Sequence, residues 1–360
     1  MKVMAINSSP RGEKTSRTFL MLDSLIKGMQ EAGAEVKMVH LRDKQIRHCI
    51  GCFTCWTKTP GTCVHKDDMT NELLPEWLAS DLCVYATPLY HFTVNADMKN
   101  FIERTLPILE PFFVKRGGKT THPMRQIPPG AVMLSVAGFP EPSVFSQLSS
   151  YAHFLFGKGL VAEIYRPGAE MMALPRLSRQ LDAILEATAV AGQQLVTSRK
   201  ISPEIVERIT VPLMDTESMA RMANIFWKSC IAEGVNPQEF QKRKLVPSPD
   251  SIESFATIMS WAFDPVSAGE TKATIQFTFS GEMSGACWFK ISNGEIQAGE
   301  GFSDNPDLTI ESPFGLWVEI MTGKADGQKM LMQGNYMAKG DFSLLIRMKE
   351  LFGAGAEQIR

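Results

Sequence analysis

The chain has 360 residues, 44% of them hydrophobic and 21% charged, with a formal net charge of -2. That length calls for two domains, because single cores stop growing at about 250–300 residues. The near-neutral balance gives nothing that points to nucleic acid or to an anionic membrane surface. No apolar run approaches the length of a membrane span. The start "MKVMAINSSP" lacks the pattern of a signal peptide, so the expected compartment is the cytoplasm.

"KVMAIN" reads as a first strand and runs into the polar turn "SSPRGEKTS". A helical stripe follows: Phe19, Leu20, Leu22, Leu25, Ile26 and Met29. "AEVKMVHL" is a second strand and "LCVYATPLY" a third. A helix with Met98, Phe101 and Ile102 at helical spacing comes next. "GAVMLSVAGF" and "LVAEIYRPG" supply strands four and five. These strands are continuously apolar rather than alternating, so both faces of their sheet are covered. Strands alternating with helices over the first 195 or so residues predict a doubly wound α/β fold with a parallel sheet.

Residues 200–245 read as helical. Ser202, Pro203 and Glu204 make a helix start, and Met219, Met222, Ala223, Phe226 and Cys230 form one stripe. "KRKLVPSPD" then reads as a linker. Beyond it the pattern alternates: Ala273, Ile275, Phe277 and Phe279 on one face, Thr274, Gln276 and Thr278 on the other. "CWFKISNGEIQAGEG" gives two strands around an Asn293-Gly294 hairpin, and "DLTIES" a further strand. The last 45 or so residues read as helices around "GLWVEIMTG" and "FSLLIRMKELFG". The expected division is 1–198, a helical extension and linker at 199–249, and an α+β domain at 250–360.

Two features carry chemistry. The loop "NSSPRGEKTS" joins a strand to a helix N-terminus and holds hydroxyls and Arg11, a setting that suits a phosphate. It has neither the Gly-Lys-Ser/Thr of a P-loop nor G-x-G-x-x-G. Strands three and four also end in loops at the sheet's carboxyl edge, Thr87–Phe92 and Ser135–Phe139, where open α/β sheets bind ligands. The second feature is "CIGCFTCWTKTPGTC", with Cys49, Cys52, Cys55 and Cys63 within 15 residues. Four thiolates meet the needs of a [4Fe–4S] cluster, one per iron. They also meet those of zinc, and the thiols could equally carry no metal. Cys83, Cys230 and Cys287 read as core residues, and His48 and His65 flank the cluster without ligand spacing.

"NSSPRGEKTSRT", "ATPLYHFTVNADMKNFIER" and the cysteine segment with its tail "CVHKDDM" resemble the NADPH-dependent FMN reductase family, more narrowly its iron–sulfur flavoproteins. The resemblance implies a flavodoxin-like fold with strand order 2-1-3-4-5. It implies FMN, with Ser9, Arg11, Thr15 and Ser16 at its phosphate. Thr87, Pro88, Leu89, Tyr90, His91, Ala137 and Gly138 would lie along its ring. It also favours a [4Fe–4S] cluster on Cys49, Cys52, Cys55 and Cys63, NAD(P)H as electron donor, and a homo-oligomer. This chain has Lys14-Thr15-Ser16 where relatives often have Gly-Asn-Thr. No general acid or base stands out.

The carboxyl third, from "WFKISNGEIQAGEG" through "NPDLTIESPFGLWVEIMTG", resembles the sterol carrier protein 2 family. That implies a five-stranded sheet with helices around an apolar tunnel, and an apolar ligand. Trp317, Ile320 and Met321 are expected to turn inward. Met321, Met330, Met332, Met337 and Met348 suit a lipid-lined cavity or an ordinary core. The sequence therefore describes an FMN-dependent oxidoreductase, working between a small-molecule donor and acceptor, with an appended lipid-type pocket. The alternatives are a lipid carrier or sensor on a flavodoxin-like scaffold, and an FMN reductase without a cluster.

Overall fold

The computed structural model describes residues 1–174 and 177–352. Residues 353–360, the end of the expected 250–360 domain and of its last predicted helix, lie outside the described residues. Contacts divide the chain into two units: the first holds Met1–Ala173 and Leu177–Leu213, and the second holds Leu174 and the described residues from Met214 onward.

In the first unit the chain runs through β1 (Lys2–Asn7), α1 (Arg17–Glu31), β2 (Glu35–His40), α2 (Leu74–Leu78), β3 (Leu82–Pro88) and α3 (Ala96–Glu103). After them come the short hairpin β4 (Val114–Arg116) and β5 (Lys119–Thr121), then β6 (Gly130–Val136), α4 (Ser146–Phe156), β7 (Leu160–Arg166), α5 (Ser178–Ser198) and α6 (Pro203–Thr210). The main sheet has the order β2-β1-β3-β6-β7, and all four of its ladders are parallel. This is the flavodoxin-like order the sequence implies. The continuous apolar strands have their cause here, since every residue of β3 is buried. Val3, Ala5, Val84, Val132 and Leu134 pack on one face with Leu22 and Leu25 of α1 and Ile184 and Leu195 of α5. Met4, Ile6, Cys83, Tyr85 and Met133 pack on the other with Trp77, Met98, Phe101 and Leu148.

Helices α1 and α5 cross at two glycines. A Cβ at Gly28 would stand 1.7 Å from the Ala189 carbonyl oxygen, and one at Gly192 would stand 2.2 Å from that of Leu25. The backbones therefore touch where the sequence supplies no side chain. Helix α6, expected within a separate 199–249 segment, belongs to the first unit. Arg166, 1% exposed, donates from Nη1 to the Ile209 and Val211 carbonyls at 3.0 and 2.6 Å and so satisfies its end. Burial lowers the Arg166 pKa to about 10. Ser202 stands in the N-cap position, but its hydroxyl makes no bond to a helix amide; its N–H donates instead to Gln194 Oε1 at 2.8 Å.

The second unit contains α7 (Thr216–Glu233), α8 (Pro237–Lys242), α9 (Ile252–Ala262) and α10 (Pro265–Ala268). These precede β8 (Ala273–Ser280), β9 (Gly285–Ser292), β10 (Glu295–Glu300) and β11 (Leu308–Pro313). Helices α11 (Phe314–Met321) and α12 (Gly327–Met332), strand β12 (Met337–Gly340) and helix α13 (Phe342–Phe352) complete it. The expected linker "KRKLVPSPD" is tied to α7, for Ser248 N–H donates to Ser229 Oγ at 2.8 Å. The sheet order is β10-β9-β8-β11-β12, with β8 and β11 parallel and the other pairs antiparallel. Asn293 and Gly294, with φ of 54° and 74°, form the predicted hairpin turn. Ile275, Phe277 and Phe279 are buried as their alternation requires. Gln276, predicted to face out, is also buried, because its amide bonds the Phe277, Cys287 and Gly301 carbonyls and Ser303.

The interior is built on Phe255, whose ring meets Phe277, Phe279, Phe289 and Phe314 edge-on. Trp317 is buried, and Ile320 and Met321 are partly buried against the same core. Met330 and Met348 join them, whereas Met332 and Met337 are exposed, so these two line no interior.

Candidate functional site

The first candidate site lies at the carboxyl edge of the parallel sheet. There the backbone leaves β1 at Asn7, whose side chain accepts the Ser9 N–H at 3.0 Å and fixes the turn. Ser16 Oγ donates to Ser9 Oγ at 2.8 Å and accepts the Phe19 N–H, so one hydroxyl both ties the loop and caps α1. Ser9 and Ser16 are buried, whereas Arg11 and Thr15 are exposed. Thr15 Oγ1 is turned back to the Gly12 carbonyl at 3.2 Å. The first N–H groups of α1 have no partner within the helix and form the positive end of its dipole.

The β3 loop is stitched to the β1 loop through Asn95. This residue caps α3 by accepting the Met98 N–H, receives Thr87 Oγ1 at 3.3 Å, and donates from Nδ2 to the Ser8 carbonyl at 2.6 Å. Thr87 is wholly buried, and its hydroxyl is also bonded to the Pro88 carbonyl at 3.0 Å. Thr87 and Pro88 are thus the floor of the loop, and Leu89 is half-buried on it. Tyr90, His91 and Phe92 stand out from the floor, the last two with φ of 46° and 64° in a tight turn closed by Tyr90 and Thr93. Two consecutive left-handed non-glycine residues are sterically costly and persist only where surroundings impose them. Here Phe92 stacks on Phe139 at 6.0 Å, beside Gly138.

The β6 loop closes the set. Ala137 is buried, and its carbonyl accepts the Ala169 N–H at 2.8 Å; Gly138 is exposed, and a Cβ on it would stand 3.9 Å from Glu170 Cγ. Glu170 pairs with Arg11 at 2.9 Å. Burial lowers the pKa of Arg17, with Glu170 acting against it, and the Arg17 Nε is a buried donor without a partner among the described residues. The sequence-predicted residues of three loops thus share one edge. Asn95, Phe92, Phe139, Glu170 and Arg17 were not picked out for roles there. An Asn just before an apolar helical run is a readable cap signal, but its reach back to Ser8 is not.

Asn95→Ala is expected to lower stability by about 2 kcal/mol, a cap plus an unsatisfied buried carbonyl. Urea unfolding measures this, and an unchanged midpoint would mean the loops are not joined through Asn95.

The second candidate site lies between β2 and α2. Gly51, Phe53 and Gly61 take left-handed backbone, with φ of 63°, 52° and 82°, and the segment folds back on itself. Trp56 N–H donates to the Phe53 carbonyl at 3.0 Å and Gly61 N–H to the Cys55 carbonyl at 2.9 Å. Cys49, Cys52, Cys55 and Cys63 consequently line one small, partly enclosed cavity. Ile50, Phe53, Leu106 and Pro107 give it apolar walls, and Arg104, Glu103 and His65 also border it. None of the four thiols is in a disulfide. Burial raises the Cys55 pKa, and the charges of Cys63, Cys49 and Cys52 add to the rise. Hydrogen bonding from Thr54 lowers that of Cys52.

Among the described residues no three His, Cys, Asp or Glu stand close enough together to hold a single metal ion. The four thiols share the lining of one cavity, and they are the donor set that a four-iron cluster would need. Buried nitrogens without partners, Arg104 Nε and His65 Nε2, belong to residues bordering the same cavity and fit an anionic, sulfur-rich group. Cys83, Cys230 and Cys287 are core residues, as expected.

With both sites in place, comparison with known families bears on each unit. Residues 1–137 match the NADPH-dependent FMN reductase family, and residues 267–353 match the SCP-2 sterol transfer family. An iron-sulfur flavoprotein of Archaeoglobus fulgidus is 43% identical over 107 residues, 30% of this chain and 46% of that protein. One of Methanocaldococcus jannaschii is 33% identical over 108 residues, 30% of this chain and 53% of that protein. The chain spans about half the length of the curated relatives it matches. Among solved structures, an FMN-dependent NADH-azoreductase from Bacillus anthracis in complex with FMN aligns at 13% identity. It covers 54% of this chain and 99% of that chain, with a TM-score of 0.42. No helix among the described residues is long and apolar enough to cross a membrane.

Proposed function

We propose that the chain is an FMN-dependent oxidoreductase that takes electrons from NAD(P)H and passes them to a small-molecule acceptor. The four cysteines would carry a [4Fe–4S] cluster, and the second unit would hold an apolar ligand. The observation that carries the reading is the meeting of the β1, β3 and β6 loops at one edge of the sheet. Arg11, Glu170 and Gly138 stand together there, and Phe92 leans on Phe139.

In this reading Ser9, Ser16, Arg11 and the open end of α1 hold the FMN phosphate, with Thr15 beside them. Thr87, Pro88 and Ala137 form a rigid base, and Leu89, Tyr90, His91 and Gly138 border the ring. Bound FMN supplies two-electron acceptance as hydride together with one-electron release, and a cluster moves one electron at a time. The protein's part is to position both groups and to exclude water from the ring. Arg11 leaves Glu170 for the phosphate, a light exchange because both are half-exposed and such pairs contribute about 0–1 kcal/mol. The match of residues 267–353 to a sterol transfer family supports an apolar ligand in the second unit. A homo-oligomer and a cytoplasmic location belong to the same proposal.

The test is an absorption spectrum of protein purified without oxygen, with iron and sulfide counted per chain. Flavin bands, a broad visible shoulder bleached by dithionite and about four irons per chain are expected. Cys63→Ser should lose the shoulder and the iron while keeping the flavin. Flavin without iron in the unaltered protein would leave a reductase with four free thiols. Neither group would leave the lipid-carrier reading.

A further inference from the structure

A buried cation stands against the cysteine cavity, and its bonding is incomplete. Arg104 is 2% exposed. Its Nη1 donates to Asp67 Oδ2 at 2.6 Å and to the Arg47 carbonyl, and its Nη2 donates to Asp67 Oδ1 and Thr70 Oγ1, both at 3.0 Å. Asp67 is fixed in turn by the N–H groups of Arg47 at 2.9 Å and Thr70 at 3.2 Å. A planar guanidinium gripped by this fork cannot swing its remaining N–H to another partner. That remaining group, Nε, is buried and makes no well-formed hydrogen bond among the described residues, while the Cys63 thiol lies within the guanidinium's hydrogen-bonding reach and helps raise its pKa. A buried donor left unmade is destabilising, because it has lost water without gaining a partner. Arg104 borders the cavity that the four thiols line. His65 Nε2, at the same cavity, is equally unpartnered.

We propose that Arg104, locked by Asp67, is a positioning residue for the four-cysteine site: its Nε–H donates to a sulfur of the group held there, and its charge raises that group's reduction potential. The proposal rests on the cluster reading above. Its physical basis is that each added electron makes a sulfur-rich group more negative. A fixed cation and an N–H donor in a poorly solvated site favour the more negative state. Asp67 holds the arginine in place and also offsets part of its charge. The two residues therefore act on the potential in opposite directions, although both support the same local structure.

The experiment is a redox titration of the full chain, purified without oxygen and followed by electron paramagnetic resonance, with iron counted and melting recorded for each variant. Arg104→Met is expected to shift the oxidised-to-reduced equilibrium by about tenfold toward the oxidised form, a fall of about 59 mV for a one-electron couple. Asp67→Asn keeps the arginine and removes its counter-charge, so the potential should rise. Arg104→Lys keeps the charge without the fork and should give a smaller fall; it stands in if the methionine variant does not fold. Opposite shifts for the Arg104 and Asp67 variants carry the proposal. Shifts of the same sign, or unmoved potentials with iron retained, overturn it. An unaltered protein without iron overturns the cluster reading itself, a result distinct from a loaded protein whose potential ignores Arg104.

Discussion

Asp67→Ala is expected to destabilise the first unit by about 3–5 kcal/mol, because it leaves the Arg104 guanidinium buried without a counter-ion. Both side chains are nearly inaccessible, at 1% and 4% exposure, so water cannot replace the lost partner. Burial by itself would raise the Asp67 pKa. The hydrogen bonds from Arg104 and from the Arg47 and Thr70 N–H groups, with the Arg104 charge, outweigh it and hold the carboxyl down at about 2, against an ordinary 3.8. A carboxyl whose folded pKa is depressed stabilises the fold above its unfolded pKa and loses that contribution as pH falls through the folded one. Stability should therefore decline by about 2 kcal/mol between about pH 4 and pH 2, and the Asp67→Ala protein should lack this part of the decline. Urea unfolding across that range measures both effects. A variant within about 0.5 kcal/mol of the parent at pH 7 would mean the pair is not buried as described.

Gly28→Ala is expected to be as damaging, at about 3 kcal/mol or more. Its new methyl would stand 1.7 Å from the Ala189 carbonyl oxygen, and backbone cannot rotate aside as a side chain can. Helices α1 and α5 would have to part, opening the layer that carries Leu22, Leu25, Ile184 and Leu195. Gly12→Ala is the matched control, since nothing lies within 4 Å of its added carbon and its backbone is not left-handed. It should stay within about 0.5 kcal/mol. Equal midpoints for the two variants in denaturant would contradict the close crossing.

Much of the fold was readable because burial on both faces leaves an unbroken apolar signature, as in "LCVYATPLY" and "GAVMLSVAGF". Where a signal is short or local partners are absent, it failed. Strand β12 has four residues at a sheet edge, too few for a period, and was taken for part of a helical region. Helix α9 carried a readable start, the Ser251 and Ser254 capping box, but its apolar run resembles a buried strand as much as a helix. Gln276 obeyed the alternation and is nevertheless buried, because a loop two strands away supplies its partners.

The amino-acid sequence by itself determined the buried parallel strands, the polar strand-to-helix turn at Ser9–Ser16 and the grouping of Cys49, Cys52, Cys55 and Cys63. Each of these is written in contiguous residues whose spacing limits local backbone geometry. Only the tertiary structure decided that Arg104 stands at the cysteine cavity, bound to an aspartate 37 residues away. It alone joined Asn95 to Ser8, Arg11 to Glu170 and Gly28 to Ala189. Such pairs are set by which chain segments the packed layers bring together, and neither periodicity nor propensity carries that information. The chemistry-bearing residues were legible as types in a row, whereas the partners that hold and tune them were fixed by folding.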